Sequence, residues 1–119
     1  MLQNLLITSI LLCSFLVGTI AVDKVRHGTS VGYNESIHTI GVVDSKIVYK
    51  SIPEYIKIQN EGIQKGSARY YNLMKKATDR YHSALKRTAK AGGYYVLVEI
   101  GGVEGYPTTN VTKLCISNL

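Results

Sequence analysis

Basic side chains concentrate between residues 52 and 91 of this 119-residue chain, and they define the chemistry it can offer a partner. The whole chain has 14 Lys and Arg against 8 Asp and Glu, a formal net charge of +6. Within the stretch nine basic residues oppose only Glu54, Glu61 and Asp79, so the entire excess lies there. Such a surface attracts acidic polypeptides, anionic lipid or nucleic acid. The nine residues are Lys57, Lys65, Arg69, Lys75, Lys76, Arg80, Lys86, Arg87 and Lys90.

The second half of this stretch has a helical pattern with two different stripes. Tyr70, Met74, Ala77, Tyr81, Ala84 and Thr88 are spaced three or four residues apart, which is typical of a packed helix seam. Lys76, Arg80, Ser83, Arg87 and Lys90 follow on the opposite side with similar spacing. A solvated helix face and a tyrosine packing seam are the simpler interpretations. The functional hypothesis is a client-binding surface formed by Lys75, Lys76, Arg80, Lys86, Arg87 and Lys90, with Tyr70, Tyr71 and Tyr81.

No other residues have the spacing of a catalytic or metal site. His27, His38 and His82 are far from metal-ligand spacing with one another and with Cys115. The few acids form no general acid and base pair, and no nucleophile stands in an elbow sequence. The glycine pairs at 92–93 and 101–102 lack the Lys-Ser/Thr ending of a phosphate loop and indicate turns. We predict a protein that is not an enzyme and has no cofactor and no metal.

The first 21 residues are predicted to form a signal peptide. They contain no charged side chain, and Thr19 and Ala21 fit the small-residue positions of a signal-peptidase site, with cleavage after Ala21. The alternative is an uncleaved anchor, because the apolar run is just long enough to cross a bilayer and Lys24 and Arg26 follow it. The protein is then periplasmic or secreted, or membrane-anchored if the segment stays. Residues 22–39 show no periodicity and are predicted to be a flexible lead-in.

The remaining 80 residues, 40–119, predict a small α+β domain. Apolar runs near 39–43 and 94–100 indicate strands, with Val42, Val43, Ile47 and Val48 as core candidates and a short helix at 45–50. Ser51, Pro53 and Glu54 predict a capped helix start, and Gly62 and Gly66 predict a break. The pair at 92–93 ends the long helix, and a last helix buries Cys115 as a small apolar residue.

These pieces, taken in order, resemble the Skp/OmpH-like periplasmic chaperones. The resemblance rests on Ile40-Gly-Val-Val-Asp44-Ser45, on Ile52-Pro-Glu-Tyr55 opening a helix, and on Ala89-Lys-Ala-Gly-Gly-Tyr-Tyr-Val-Leu-Val-Glu99. Gly101-Gly-Val103, Tyr106 and Asn110-Val-Thr112 complete it. It covers residues 40–119, with a shortened helical arm at about 52–91.

The resemblance implies a β body that joins several chains, with a helical hairpin projecting from each. It implies a homo-oligomer, a trimer in the family, with Val42, Val43, Val96 and Val98 building the core between subunits. The implied function is an exported holdase that holds unfolded, outer-membrane or acidic client proteins. A membrane-tethered interaction protein, whose basic helix contacts anionic lipid or a partner, is the alternative. Nucleic acid is a weaker third interpretation, since it requires a compartment that contains it.

Overall fold

The apolar runs predicted near residues 39–43 and 94–100 form neighbouring parallel strands. The structure is a computed structural model that describes residues 17–119. The strands are β1 (Thr19–Ile20), β2 (Val25–Gly28), β3 (Ile40–Val43), β4 (Val96–Glu99), β5 (Val103–Glu104) and β6 (Thr108–Asn110). The helices are α1 (Ser45–Tyr49), α2 (Pro53–Glu61), α3 (Ala68–Gly92) and α4 (Thr112–Ser117), with a 3-10 turn at Val22–Lys24. The α+β class is therefore confirmed.

The main sheet has the order β2-β4-β3-β6. β3 is parallel to both of its neighbours, with Ile40 opposite Val96 and Thr108. β2 is antiparallel to β4, and β1 pairs with β5 in a separate two-stranded ladder. All three helices between β3 and β4 belong to one crossover, because parallel neighbours cannot be joined by a tight turn.

Both faces of the central strands are buried. On one face Val43 and Leu97 pack against the helices, in a cluster with Leu85 of α3 and Cys115 of α4. On the other face Ile40, Val42, Val96 and Val98 lie beneath Tyr33, Tyr95 and Tyr106, which are half-buried. Strands covered on two sides read as continuous apolar runs instead of alternating ones, which is the pattern seen in the sequence.

The hairpin of α2 and α3 follows from its end signals. The Ser67 side chain accepts a hydrogen bond from the Tyr70 N–H at 3.1 Å and caps α3. Gly62 (φ 59°) and Gly93 (φ 67°) end α2 and α3 in the left-handed conformation that glycine adopts without strain. α2 packs against α3, so the predicted break near Gly62 and Gly66 is confirmed.

Three local predictions are wrong. The lead-in at 22–39 contains regular structure. The 3-10 turn and β2 lie within it, and β2 forms one edge of the main sheet. The sequence of β2 does not alternate between apolar and polar residues, because none of its residues is fully buried. Ile47 is 48% exposed because it lies on the outer side of α1. Ser51 makes no capping bond: Ile52 occupies the N-cap position without a side-chain bond, and Pro53 begins the helix.

The predicted signal peptide lies mostly outside the described residues, which begin at 17. Of its last residues, Thr19 and Ile20 form β1. In the part of the chain that is described, no helix combines the length and apolar character needed to cross a membrane.

Candidate functional site

α3 separates its side chains by role along its whole length. Ala77, Tyr81, Ala84 and Thr88 of the predicted seam are buried, and Tyr70 and Met74 are half-buried nearer the tip. The basic stripe on the other side is exposed: Lys76, Arg80, Ser83, Arg87 and Lys90. The helical spacing therefore predicted correctly which side of α3 faces the protein and which side faces solvent.

Two arginines of the exposed face are joined to acids of α2. Arg80 Nε lies 2.8 Å from Glu54 Oε1, and Arg69 Nη2 lies 2.8 Å from Glu61 Oε1. Partial burial of Glu54 opposes ionisation, but the Arg80 hydrogen bond, a backbone hydrogen bond and the positive charges of Arg80 and Lys76 together outweigh it and lower the pKa of the carboxyl group. These pairs connect the two limbs of the hairpin. Arg80, predicted to contact a client, thus also positions α2.

Lys75 and Arg87 also have partners within the chain. Lys75 Nζ lies 3.3 Å from Asp79 Oδ2, one helical turn along α3, with both side chains largely exposed. Exposed pairs of this type stabilise a helix by only about 0.3–0.5 kcal/mol, so Lys75 can exchange its partner at little cost. Arg87 donates to the backbone carbonyl of Asn118, beyond the end of α4, so this partner is an uncharged group.

On α3, the basic side chains without such a partner are Lys76, Lys86 and Lys90. All three side chains are exposed, and none makes an ion pair with a residue in the described range. Lys76 and Lys90 are 14 positions apart on a 25-residue helix, which corresponds to about 21 Å at 1.5 Å per residue. With Arg87 between them, they form a line of positive charge along the solvent side of α3. We call these four residues the open basic face.

The three predicted tyrosines do not form one surface. Tyr71 is 67% exposed. It lines a shallow groove of about 280 Å³ together with Met74, Lys75, Thr78 and Asp79. Tyr70 is half-buried in the seam. Tyr81 is only 4% exposed, so its predicted contact with a client is wrong. Its ring packs edge-on to Tyr49 of α1, with 5.0 Å between the centroids.

A polar network that the sequence did not predict holds the base of α3 on the sheet. The Ser45 hydroxyl hydrogen-bonds with both the Tyr81 hydroxyl and Glu99 Oε2, while the Ser45 N–H donates to Glu99 Oε1 at 3.0 Å. Arg26 Nε of β2 lies 3.0 Å from Glu99 Oε2. The network joins β2, β4, α1 and α3.

The pKa values of the two acidic groups in this network shift in opposite directions. Burial raises the pKa of the Tyr81 hydroxyl, so it stays protonated and can donate. Burial also opposes ionisation of Glu99, but the hydrogen bonds from Ser45 and Arg26 outweigh it and lower its pKa. A signal was present in the sequence: Ser45 and Glu99 lie at the carboxyl ends of two apolar runs, and parallel pairing brings such ends together.

The four valines assigned to an intersubunit core are buried within one chain. Val43, Val96 and Val98 have no exposed area, and Val42 is 8% exposed. Val43 faces the helices, while the other three face the tyrosine-covered side. A second chain is not needed to cover them, so their assignment to an intersubunit surface is wrong in this arrangement.

The described residues contain no group of three His, Cys, Asp or Glu side chains that could hold a metal ion. Cys115 is fully buried, as predicted, and burial raises the pKa of its thiol. We find that no protein-family model, no curated protein and no solved structure matches the chain. The open basic face, with the groove beside Tyr71, is the candidate binding site.

Proposed function

We propose that this protein is an exported holdase-type binding protein that holds unfolded or acidic segments of client proteins on the open basic face of α3. The observation that carries the proposal is the line of Lys76, Lys86, Arg87 and Lys90, none of which makes an ion pair with an acid in residues 17–119. The resemblance to Skp/OmpH-like chaperones supports the same interpretation. Binding requires no turnover and no cofactor.

The dimensions of the hairpin favour a grip on one segment. α2 has 9 residues, so the paired part of the hairpin is about 14 Å long. The open basic face extends for about 21 Å, which matches roughly six residues of an extended chain at about 3.4 Å per residue. A client is therefore held by a short acidic stretch, and the groove beside Tyr71, nearer the tip of the hairpin, can accept an apolar side chain.

Salt dependence distinguishes this mechanism from apolar holding. We expect the protein to suppress aggregation of an acidic, reduced and carboxymethylated protein at low ionic strength, and to lose most of that effect near 0.5 M NaCl, where the Debye length is only about 4 Å. Light scattering at both salt concentrations measures this. A basic unfolded protein of similar size is the control. Equal protection of acidic and basic clients, independent of salt, would contradict the proposal.

Oligomerisation stays a prediction. The apolar side chains that support it are Ile47, Ile100 and Leu114, which follow the carboxyl ends of β3, β4 and β6 and are 48%, 50% and 41% exposed. We expect a shared β body to bury these residues. Light scattering of the purified protein measures the native mass, and a monomer would exclude the shared body while leaving the basic face intact.

A further inference from the structure

Residues 17–21, assigned to the end of a signal peptide, make specific contacts with the rest of the domain. Thr19 pairs with Glu104 and Ile20 with Val103 in the β1–β5 ladder. The Ala21 N–H donates to the Gly102 carbonyl at 2.9 Å, and the Ala21 carbonyl accepts from the Lys24 N–H at 3.0 Å. The bond predicted to be cleaved, after Ala21, therefore lies inside a hydrogen-bonded segment.

The fit around Gly18 requires glycine. Gly18 lies against the ring of Tyr106 so closely that an added Cβ would be 2.5–2.6 Å from three ring carbons. Gly105 also lies close to Gly18, since a Cβ added at Gly105 would be 2.8 Å from the Gly18 Cα. Gly105 also has a φ of +76°, which disfavours any other residue. The backbone at Gly18 thus fits against the Tyr106 ring and Gly105 because neither glycine has a side chain.

Ile20 adds an apolar contact to the same segment. Its side chain is half-buried and packs with Val103 and Tyr106 over the cluster of Ile40, Val42, Val96 and Val98. Tyr106 in turn packs edge-on to Tyr33, with 4.8 Å between the ring centroids. Removal of residues 17–21 would uncover one side of Tyr106 and part of this cluster.

We propose that Gly18–Ala21 remain in the mature protein as a structural strand, and that any cleavage of the leader occurs before Gly18. A leader that is discarded needs apolar character and small residues near the cleavage site, but it has no need of backbone pairing or shape complementarity with the domain. Residues 18–21 show both backbone pairing and shape complementarity with the domain. This inference is independent of the proposed client binding, because the open basic face lies on α3.

The intact mass of the protein, produced from the full chain in a host with a secretory pathway, tests the inference directly. We expect an N-terminus at Gly18 or earlier, including an uncleaved chain. A mature protein that begins after Gly18, in particular at Val22, would overturn it.

A pair of variants of the full chain gives a second test. Gly18→Ala places a methyl group against the Tyr106 ring, and we expect its melting temperature to fall by about 4 °C or more. Val17→Ala is the control, since Val17 is 70% exposed and its truncation should leave the melting temperature unchanged. Equal melting temperatures for the two variants would show that the segment is not part of the folded domain, and would also overturn the proposal.

Discussion

The positive charge of α3 has two different roles, depending on whether the basic residue forms an ion pair with an acid of α2. Arg69 and Arg80 face α2, and each is 2.8 Å from a glutamate there. Lys76, Lys86 and Lys90 make no ion pair within the described residues. Arginine is suited to fixed ion pairs, because its planar group holds a carboxylate in a defined geometry, whereas lysine stays hydrated and mobile. The comparison separates hairpin structure from partner binding.

The largest expected effect is on stability alone. Leu85 of α3 is 1% exposed and packs in the helix-facing core. We expect Leu85→Ala to lower the free energy of unfolding by about 2–5 kcal/mol, because a cavity replaces buried methyl groups. Chemical denaturation measures this. Client binding per folded molecule should not change, and a selective loss of binding would contradict the separation of the two sides of α3.

The network at the base of α3 should make stability depend on acidity. The pKa of Glu99 is lowered in the fold, so its contribution is present above the pKa of an unfolded glutamate, about 4.3, and is lost as the pH falls through the folded pKa. At pH 7 we expect Glu99→Gln to cost about 1–3 kcal/mol, because a neutral amide accepts more weakly from Arg26 and Ser45.

Denaturation curves of the wild type and of Glu99→Gln, recorded between pH 7 and pH 3, measure that difference. The difference between the two stabilities should shrink as the pH falls below about 4.3, because the unfolded chain then binds a proton at Glu99 more readily than the folded protein does. A difference that is constant across this range would mean that Glu99 acts by packing and not by charge.

A smaller effect is expected at the ion pairs between α2 and α3. Arg80→Met removes the partner of Glu54, whose side chain is only 14% exposed, and we expect a loss of about 1 kcal/mol of stability. Lys86→Met is the matched control, because Lys86 is exposed on the same helix and makes no ion pair in the described residues, and it should change stability by less than about 0.5 kcal/mol. Thermal denaturation of both variants sharpens the comparison. If Lys86→Met destabilised as much as Arg80→Met, the paired and unpaired basic residues would not differ in role.

The sequence predicted the long elements of the fold better than the contacts between them. The seam of α3, its end at Gly93 and the two buried strands follow from local periodicity and glycine chemistry, which neighbouring residues alone decide. β2 was missed because an edge strand with half-buried residues has no apolar alternation. Tyr81 was misassigned because a tyrosine in a seam has the same spacing whether its hydroxyl meets solvent or a buried Ser45.

The sequence predicted the positive charge of the candidate site but not the ion pairs that its arginines make with α2. The helical spacing placed Lys76, Arg80, Arg87 and Lys90 on the correct side of α3. It could not show that Glu54 and Glu61 of a separate helix would meet Arg80 and Arg69, since the register between two helices depends on the turn at residues 62–67. Likewise, Val42 and Val98 are covered in part by Ile20, Val25 and Tyr33, which come from segments that were predicted to be cleaved or flexible.

The most direct test is charge reversal of the open basic face. Lys76→Glu, Lys86→Glu and Lys90→Glu together should weaken binding of an acidic unfolded client by about ten- to a hundredfold, since each exposed contact contributes up to about 1 kcal/mol. The control carries the same charge change elsewhere, as Lys46→Glu, Lys50→Glu and Lys113→Glu, all exposed and all outside α3. Dissociation constants from fluorescence anisotropy, with circular dichroism to verify folding, give the comparison. Selective loss in the first variant is the predicted result, and equal affinity of the two variants would contradict the assignment of client binding to α3.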